Sequence, residues 1–262
     1  PSSGNYDFMS HRILQITDCH LFADRRELRG IATWPRLEAV LDEIRNRFAD
    51  FDCLVVTGDT AHDEIEETYV AFREALGDLT ERLFLIPGNH DNREAIAKVF
   101  PDRCELIDGR LTFQHSLGGW QLIGLDSHIP GEVAGRIGAA QLTWTGGPFC
   151  STQDLHTLIF VHHPPVLIHS RWLDAIRLED GEVLIELLEQ FPNIKLVCCG
   201  HVHQESATAT SGPLVLTTPA VGPQFRPRTD EIEIDPLPPA LRVIDLEPDG
   251  TWTTQVVRSE VK

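Results

Sequence analysis

Asp18, His20, Asp59, Asn89, His162, His201 and His203 carry oxygen or nitrogen donors, and each stands just past the end of a short apolar run. The runs are Ile13–Thr17, Cys53–Thr57, Leu83–Ile86, Leu158–Val161 and Lys195–Cys199. After them the chain reads Asp18-Cys19-His20, Gly58-Asp59, Pro87-Gly88-Asn89-His90-Asp91, His162-His163-Pro164-Pro165 and Gly200-His201-Val202-His203. Any one of these stretches alone is an ordinary turn, because Gly, Pro, Asn and Asp all favour turns. Five of them, supplying two Asp, one Asn and four His, point to one polar site at one edge of a sheet. Seven such donors are too many for one tetrahedral zinc ion. They suit two metals sharing a carboxylate. Two ions about 3.5–4 Å apart clamp the attacking and leaving oxygens of a phosphoryl displacement. Mixed imidazole and carboxylate donors without thiolate favour divalent or trivalent iron and manganese, with zinc as the third option, over calcium or copper.

The elements that must position these donors follow from the same runs. Near-continuous apolar strands are the mark of parallel sheets buried on both faces. Between them lie helical patterns. Trp34–Phe48 has apolar residues at Leu37, Val40, Leu41, Ile44 and Phe48, and Pro35 suits its first turn. Glu64–Leu76, Asn92–Phe100 and Gly181–Gln190 also read as helices. From Cys104 to Asp126 the pattern changes to short antiparallel strands, Leu111–Phe113 and Trp120–Leu125, around Gly118-Gly119. The tail reads as strands Leu214–Thr217, Ile232–Ile234, Leu241–Leu246 and Thr251–Val257. The order is accommodated by two sheets packed face to face and flanked by helices.

At 262 residues and 42% hydrophobic the chain can bury a large core. It has no repeat, no low-complexity tract and no long Gly/Ser linker. A boundary between residues 18 and 203 would split the site, so residues 9–262 are expected to form a single domain. The net charge of −18 excludes a general nucleic-acid binder. It also works against long-range attraction of an anionic substrate, so any phosphate specificity must come from local positive charge such as bound metal. No apolar run reaches the roughly 18 residues of a membrane span. Residues 1–10 have no signal-peptide core, and Met9 is the only Met. Pro1–Phe8 is expected to be an expression scar or a disordered N-terminus. Cys19, Cys53, Cys104, Cys150, Cys198 and Cys199 show no C-x-x-C spacing, which suits reduced thiols in a cytoplasmic protein.

Other candidates carry a plainer reading. His11, His115, His128, His156 and His169 fall outside the strand-end pattern and are expected on the surface or in loops. His163 is expected to support a ligand or to pack. His62 and Asp63 stand close enough to Asp59 to orient a ligand or water, and Asp63 equally suits the start of a helix. Cys19 is expected to pack away from the metals. The acidic runs Asp63–Glu67 and Asp230–Asp235 read as solvated faces.

The five motifs in this order, Asp-x-His, Gly-Asp, Gly-Asn-His-Asp, His-x-Pro and Gly-His-x-His, resemble the calcineurin-like metallophosphoesterases. The resemblance implies an α/β fold, a four-layer α/β/β/α sandwich of two mixed sheets flanked by helices. It implies one metal on Asp18, His20, Asp59 and His203 and a second on Asp59, Asn89, His162 and His201, with Asp59 bridging. It assigns catalytic roles to Asp59 and His90, with Asn89 and His90 facing the substrate phosphate. Gln15–Phe22, Trp172-Leu173-Asp174, Gln224-Phe225-Arg226-Pro227 and Asp249-Gly250 are similar to the bacterial class III cyclic nucleotide phosphodiesterases, which hydrolyse 3′,5′-cyclic AMP. Thr218–Gly222, Leu178-Glu179-Asp180 and Pro239–Arg242 depart from that subgroup without touching a ligand.

The activity so implied is hydrolysis of 3′,5′-cyclic AMP to 5′-AMP. A metal-bridging hydroxide attacks in line, and His90 assists the leaving oxygen. The partner is a small cyclic nucleotide or another phosphodiester, such as a glycerophosphodiester, with no nucleic acid or membrane. The oligomeric state stays open, a homodimer among the options. Phe22 is the candidate to stack on the base, with a packed loop anchor as the alternative, and His169–Asp174 is placed to close over the site. A metal-free binding module is disfavoured because all seven donor positions are filled.

Overall fold

The structure is a computed structural model that describes residues 9–104, 106–143 and 154–262. Residues 1–8 and Cys150 lie outside the described residues, and so does the expectation attached to each. Two mixed sheets face one another. The first joins β1 (His11–Ile16), β2 (Cys53–Thr57), β3 (Leu83–Ile86), β14 (Ala240–Leu246) and β15 (Trp252–Arg258) in the order β15-β14-β1-β2-β3. Its β1, β2 and β3 run parallel, β14 is antiparallel to β1, and β15 is antiparallel to β14. The second joins β6 (Phe113–Leu117), β7 (Trp120–Leu125), β8 (His156–Val161), β9 (Ile194–Cys199), β10 (Ser206–Thr208) and β11 (Leu214–Thr217) in the order β10-β11-β9-β8-β7-β6. Its β7, β8, β9 and β11 are parallel.

Strand side chains alternate between faces, and here both faces are buried. Ile13, Val55, Leu158, Phe160, Leu196 and Cys198 pack between the sheets. Leu14, Ile16, Leu54 and Val56 turn the other way, against the helices of the first sheet. Ile159, Val161, Val197 and Cys199 face Leu184 and Leu188 of helix Gly181–Leu188 on the outside of the second sheet. These are the layers of an α/β/β/α sandwich.

Helix α1 (Thr33–Arg47) buries Leu37, Val40, Leu41 and Ile44, the i, i+3, i+4, i+7 stripe expected of it. Helix α2 (Glu66–Leu76) begins two residues later than the sequence suggests, because Glu64 takes a left-handed conformation with φ 58°. Helix α3 (Arg93–Val99) is capped by the Asn92 side chain, which accepts from the Ala95 amide at 3.1 Å.

Two strand expectations differ from the structure. Leu111–Phe113 is divided between two strands: Leu111 ends the ribbon of β4 (Leu106–Ile107) and β5 (Arg110–Leu111), and Phe113 opens β6. The Leu111 amide donates to the Asp126 carboxylate at 2.9 Å, a side-chain bond in place of a ladder bond. The expected strand Ile232–Ile234 is reduced to β13 (Ile234–Asp235), which pairs with β12 (Gln224–Phe225) in a separate ribbon. Among the described residues, no helix is long and apolar enough to cross a membrane.

Candidate metal centre

The parallel strands end with their polar residues at one edge, and the backbone there is unusual. Asp18, His20, Asp59, His201 and His203 have φ of 53°, 48°, 52°, 69° and 51°. Non-glycine residues occupy this left-handed region at a cost that surrounding structure must offset, and such residues cluster at functional sites. The offset is visible. The amides of Asp18 and His20 donate to the carbonyls of Gly58 and Asp59 at 3.0 and 2.9 Å, and the His201 amide donates to Asp18 Oδ2 at 2.9 Å. Gly200 donates to the His162 carbonyl at 3.0 Å, joining the ends of β8 and β9. Gly88 is required by contact: a Cβ there would collide with Asp59 Oδ1.

All seven expected donors meet at this edge. Asp59 divides its carboxylate, with Oδ2 3.5 Å from His20 Nε2 and Oδ1 3.5 Å from His162 Nε2. His203 Nε2 lies 3.3 Å from Asp18 Oδ1 and 3.0 Å from His20 Nε2. His162 Nε2 lies 3.3 Å from Asn89 Oδ1. Asp18, His20 and His203 form one group of donors, and Asp18, Asp59 and His162 another. Donors about 2.0–2.2 Å from a common ion would lie at separations of this order.

The donor chemistry fits metal ions as well. His203 Nδ1 donates to the Pro223 carbonyl at 2.6 Å, and His162 Nδ1 to the Thr57 carbonyl at 2.7 Å. In each ring Nε2 is thus the nitrogen left to face the centre, the one a metal would take. His201 Nε2 is buried without a hydrogen-bond partner. Burial holds His20 well below the usual histidine range and, with His162 nearby, takes His201 down to about 3, so both are the neutral imidazoles that ligate. Burial alone would lower His162 too, yet Asp59 and Asp18 outweigh it and push that ring up to about 9. Two buried carboxylates demand positive charge here, which metal cations also supply.

Two supporting residues, Asp91 and Asp126, are not apparent from the sequence. Asp91 is fully buried and accepts from the amides of Gly88 and Thr60 at 2.9 and 3.1 Å and from the Tyr69 hydroxyl at 2.9 Å. It ties the loop of Asp59 to the loop of Asn89. Burial and the charge of Asp59 push its carboxyl up to about 6. Asp126 pairs with Arg93 through both oxygens, at 2.6 and 2.7 Å. His163 donates from Nε2 to the Val133 carbonyl at 3.0 Å and faces the Ser127 hydroxyl with Nδ1 at 2.8 Å, so both nitrogens have partners, while a ring nitrogen lies within 4.8 Å of those of His162 and His201. Asp63 accepts from the Ala23 amide and the Thr68 hydroxyl at 2.8 and 2.7 Å, which is a loop-holding role. Cys19 packs in the core beneath the helices, and the runs around Asp63 and Asp230 are largely exposed.

A cavity of about 300 Å³ opens over the centre. His20, Asp59, Asn89, His90, His201 and His203 line it, faced by the apolar side chains of Trp172, Leu173, Ile176 and Phe225. Trp172 and Leu173 belong to the short helix Arg171–Asp174, inside the stretch expected to cover the site. His169 is exposed.

Phe22 requires correction. It is only 3% exposed and does not line the cavity. Its ring meets His62 edge-on at 5.0 Å, and Arg26 lies over it at 4.0 Å. It is a packed loop anchor. The aromatic facing the centre is Phe225, flat against His203 at 4.1 Å with 6° between the rings, and 5.1 Å from Trp172. Its place depends on the β12–β13 ribbon, in which Phe225 pairs with Ile234. His11 and His128 also differ from expectation: both are buried, His11 beside Asp52 at 3.3 Å and His128 beside the Asp126–Arg93 pair.

A family model described as calcineurin-like phosphoesterase matches residues 11–205. Among curated relatives, the chain is 35% identical over 258 residues to the 3′,5′-cyclic adenosine monophosphate phosphodiesterase CpdA of Vibrio vulnificus, covering 98% of this chain and 93% of the relative. It is 36% identical over 248 residues to the protein of the same name from Escherichia coli, covering 94% and 89%. Among solved structures, a dimetal phosphatase from Danio rerio superposes with a TM-score of 0.67 at 15% identity, covering 95% of this chain and 99% of that one. A purple acid phosphatase from yellow lupin superposes with a TM-score of 0.69 at 12% identity, covering 98% and 53%. These two likenesses are of fold.

Proposed function

The chain belongs to the calcineurin-like phosphoesterase family, and on that footing we propose that it is a two-metal phosphodiesterase hydrolysing 3′,5′-cyclic AMP to 5′-AMP. The observation that carries the two-metal part is the divided carboxylate of Asp59, with one oxygen toward His20 and the other toward His162. One ion would be held by Asp18, His20, Asp59 and His203, the other by Asp59, Asn89, His162 and His201. Iron and manganese suit these donors best, with zinc next. When bound, the ions would activate water and neutralise charge on the phosphoryl oxygens.

The chain's own residues do the rest. His90 lines the cavity beside Asn89, and its amide donates to Asp59 Oδ1 at 2.8 Å, which ties its position to the centre. From there its imidazole protonates the departing 3′ oxygen. The apolar wall of Trp172, Leu173, Ile176 and Phe225 receives the nucleoside and excludes water. The substrate is supported by the relatives, two of which bear the name of cyclic AMP phosphodiesterase at about 35% identity over nearly the whole chain. Free thiols at Cys19, Cys53, Cys104, Cys198 and Cys199 suit the cytoplasm, where that nucleotide is met and thiols stay reduced.

The test is product identity. Metal-loaded protein incubated with 3′,5′-cyclic AMP should release 5′-AMP and no 3′-AMP. It should show a higher kcat/KM on that substrate than on a glycerophosphodiester. Detectable 3′-AMP, or preference for the glycerophosphodiester, would defeat the assignment.

A further inference from the structure

His62 belongs to neither set of donors, yet its Nδ1 lies 3.0 Å from Nδ1 of His20. Its ring stacks on His90 at 4.3 Å with 27° between planes, and it lines the cavity above the centre. Two imidazole nitrogens at this distance must share one proton, since two lone pairs repel and two N–H groups collide.

Which ring carries the proton follows from what lies on their other sides. His20 turns Nε2 into the centre, 3.5 Å from Asp59 Oδ2 and 3.0 Å from His203 Nε2. His203 has committed its own proton to the Pro223 carbonyl through Nδ1. With a metal on His20 Nε2, the His20 proton stands on Nδ1 and is donated to His62 Nδ1. His62 must then carry its proton on Nε2, for which no protein acceptor is found among the described residues.

We propose that His62 is a positioning residue for His20, locked in the Nε2–H form by that contact, and that it offers this N–H to an oxygen of the phosphodiester. The assignment rests on the two-metal phosphodiesterase reading. It makes His62 the element that couples metal loading to substrate recognition: the donor is fixed only when the His20 imidazole is fixed. The stack on His90 places the N–H beside the group that assists the leaving oxygen.

The experiment combines histidine ¹⁵N–¹H long-range NMR with zinc titration of the whole chain and two variants. In the zinc-loaded parent, His62 should show the Nε2–H tautomer. His62→Ala should weaken one of two zinc ions by about 10- to 100-fold, the usual cost of losing a partner of a ligating histidine. His62→Asn puts Oδ1 where Nδ1 stood and should restore zinc affinity. It should still show a KM for cyclic AMP raised about 2- to 10-fold, the worth of one hydrogen bond. A zinc-loaded parent with His62 in the Nδ1–H form overturns the assignment alone. So does a third zinc bound by the parent and lost in His62→Ala, or His62→Asn binding zinc as poorly as His62→Ala. A parent that takes up no zinc overturns the two-metal reading and this assignment together.

Discussion

The phenyl ring of Phe225 lies on the imidazole of His203, 4.1 Å between centroids and 6° from parallel. A side chain 22 positions further along the chain thus fixes the plane of a metal-ligand candidate while forming part of the apolar wall.

Phe225→Ala should therefore lose more on cyclic AMP than on a small nitrophenyl phosphodiester. Stacking of a base on an aromatic ring is worth about 1–3 kcal/mol, roughly 5- to 150-fold in kcat/KM. Equal losses on both substrates would show that the ring only steadies His203.

Phe22→Ala should behave in the opposite way. The ring is buried against His62 and under Arg26, so truncation should lower unfolding stability by about 3–5 kcal/mol. The ratio of activities on the two substrates should stay unchanged. Urea unfolding read beside the two assays checks this, and a selective loss on cyclic AMP would restore Phe22 as a base contact.

His90→Ala should retain both metals and lose kcat. General acid–base assistance contributes about 10²–10⁴-fold. A nitrophenyl leaving group needs less protonation and should suffer less. An equal fall for both substrates would remove His90 from the acid role.

Asp91→Ala leaves the amides of Gly88 and Thr60 and the Tyr69 hydroxyl without their acceptor in a buried place. Unfolding stability should fall by about 3 kcal/mol or more. Metal affinity should fall too, because the loops of Asp59 and Asn89 are no longer tied. A variant with native stability and native metal affinity would show that Asp91 is dispensable.

The sequence shows the strand ends plainly because parallel strands buried on both faces leave uninterrupted apolar runs, and donors at their ends stand out. That made Asp18, His20, Asp59, Asn89, His162, His201 and His203 legible together. The layered fold followed from the alternation of such runs with helical stripes. What could not be read depends on contacts between distant residues. Asp91 looks like one more turn residue until its oxygens are seen gathering two loops. Phe225 looks like any aromatic in a polar tail until the β12–β13 ribbon lays it on His203. Phe22 follows His20 so closely that its position suggests the site, but Arg26 and His62 enclose it. His11 and His128 lie outside the strand-end pattern, and neither spacing nor motif marks them as buried.

The central claim is that Asp59 is the carboxylate two metals share, and metal content tests it most directly. Elemental analysis of the purified parent, loaded and then freed of loose ions, should give about two metal ions per chain. Asp59→Ala, prepared identically, should lose tight binding at both positions and with it the activity on cyclic AMP. An Asp59→Ala protein that still holds two tightly bound metals, or a parent that saturates at one, would contradict the account.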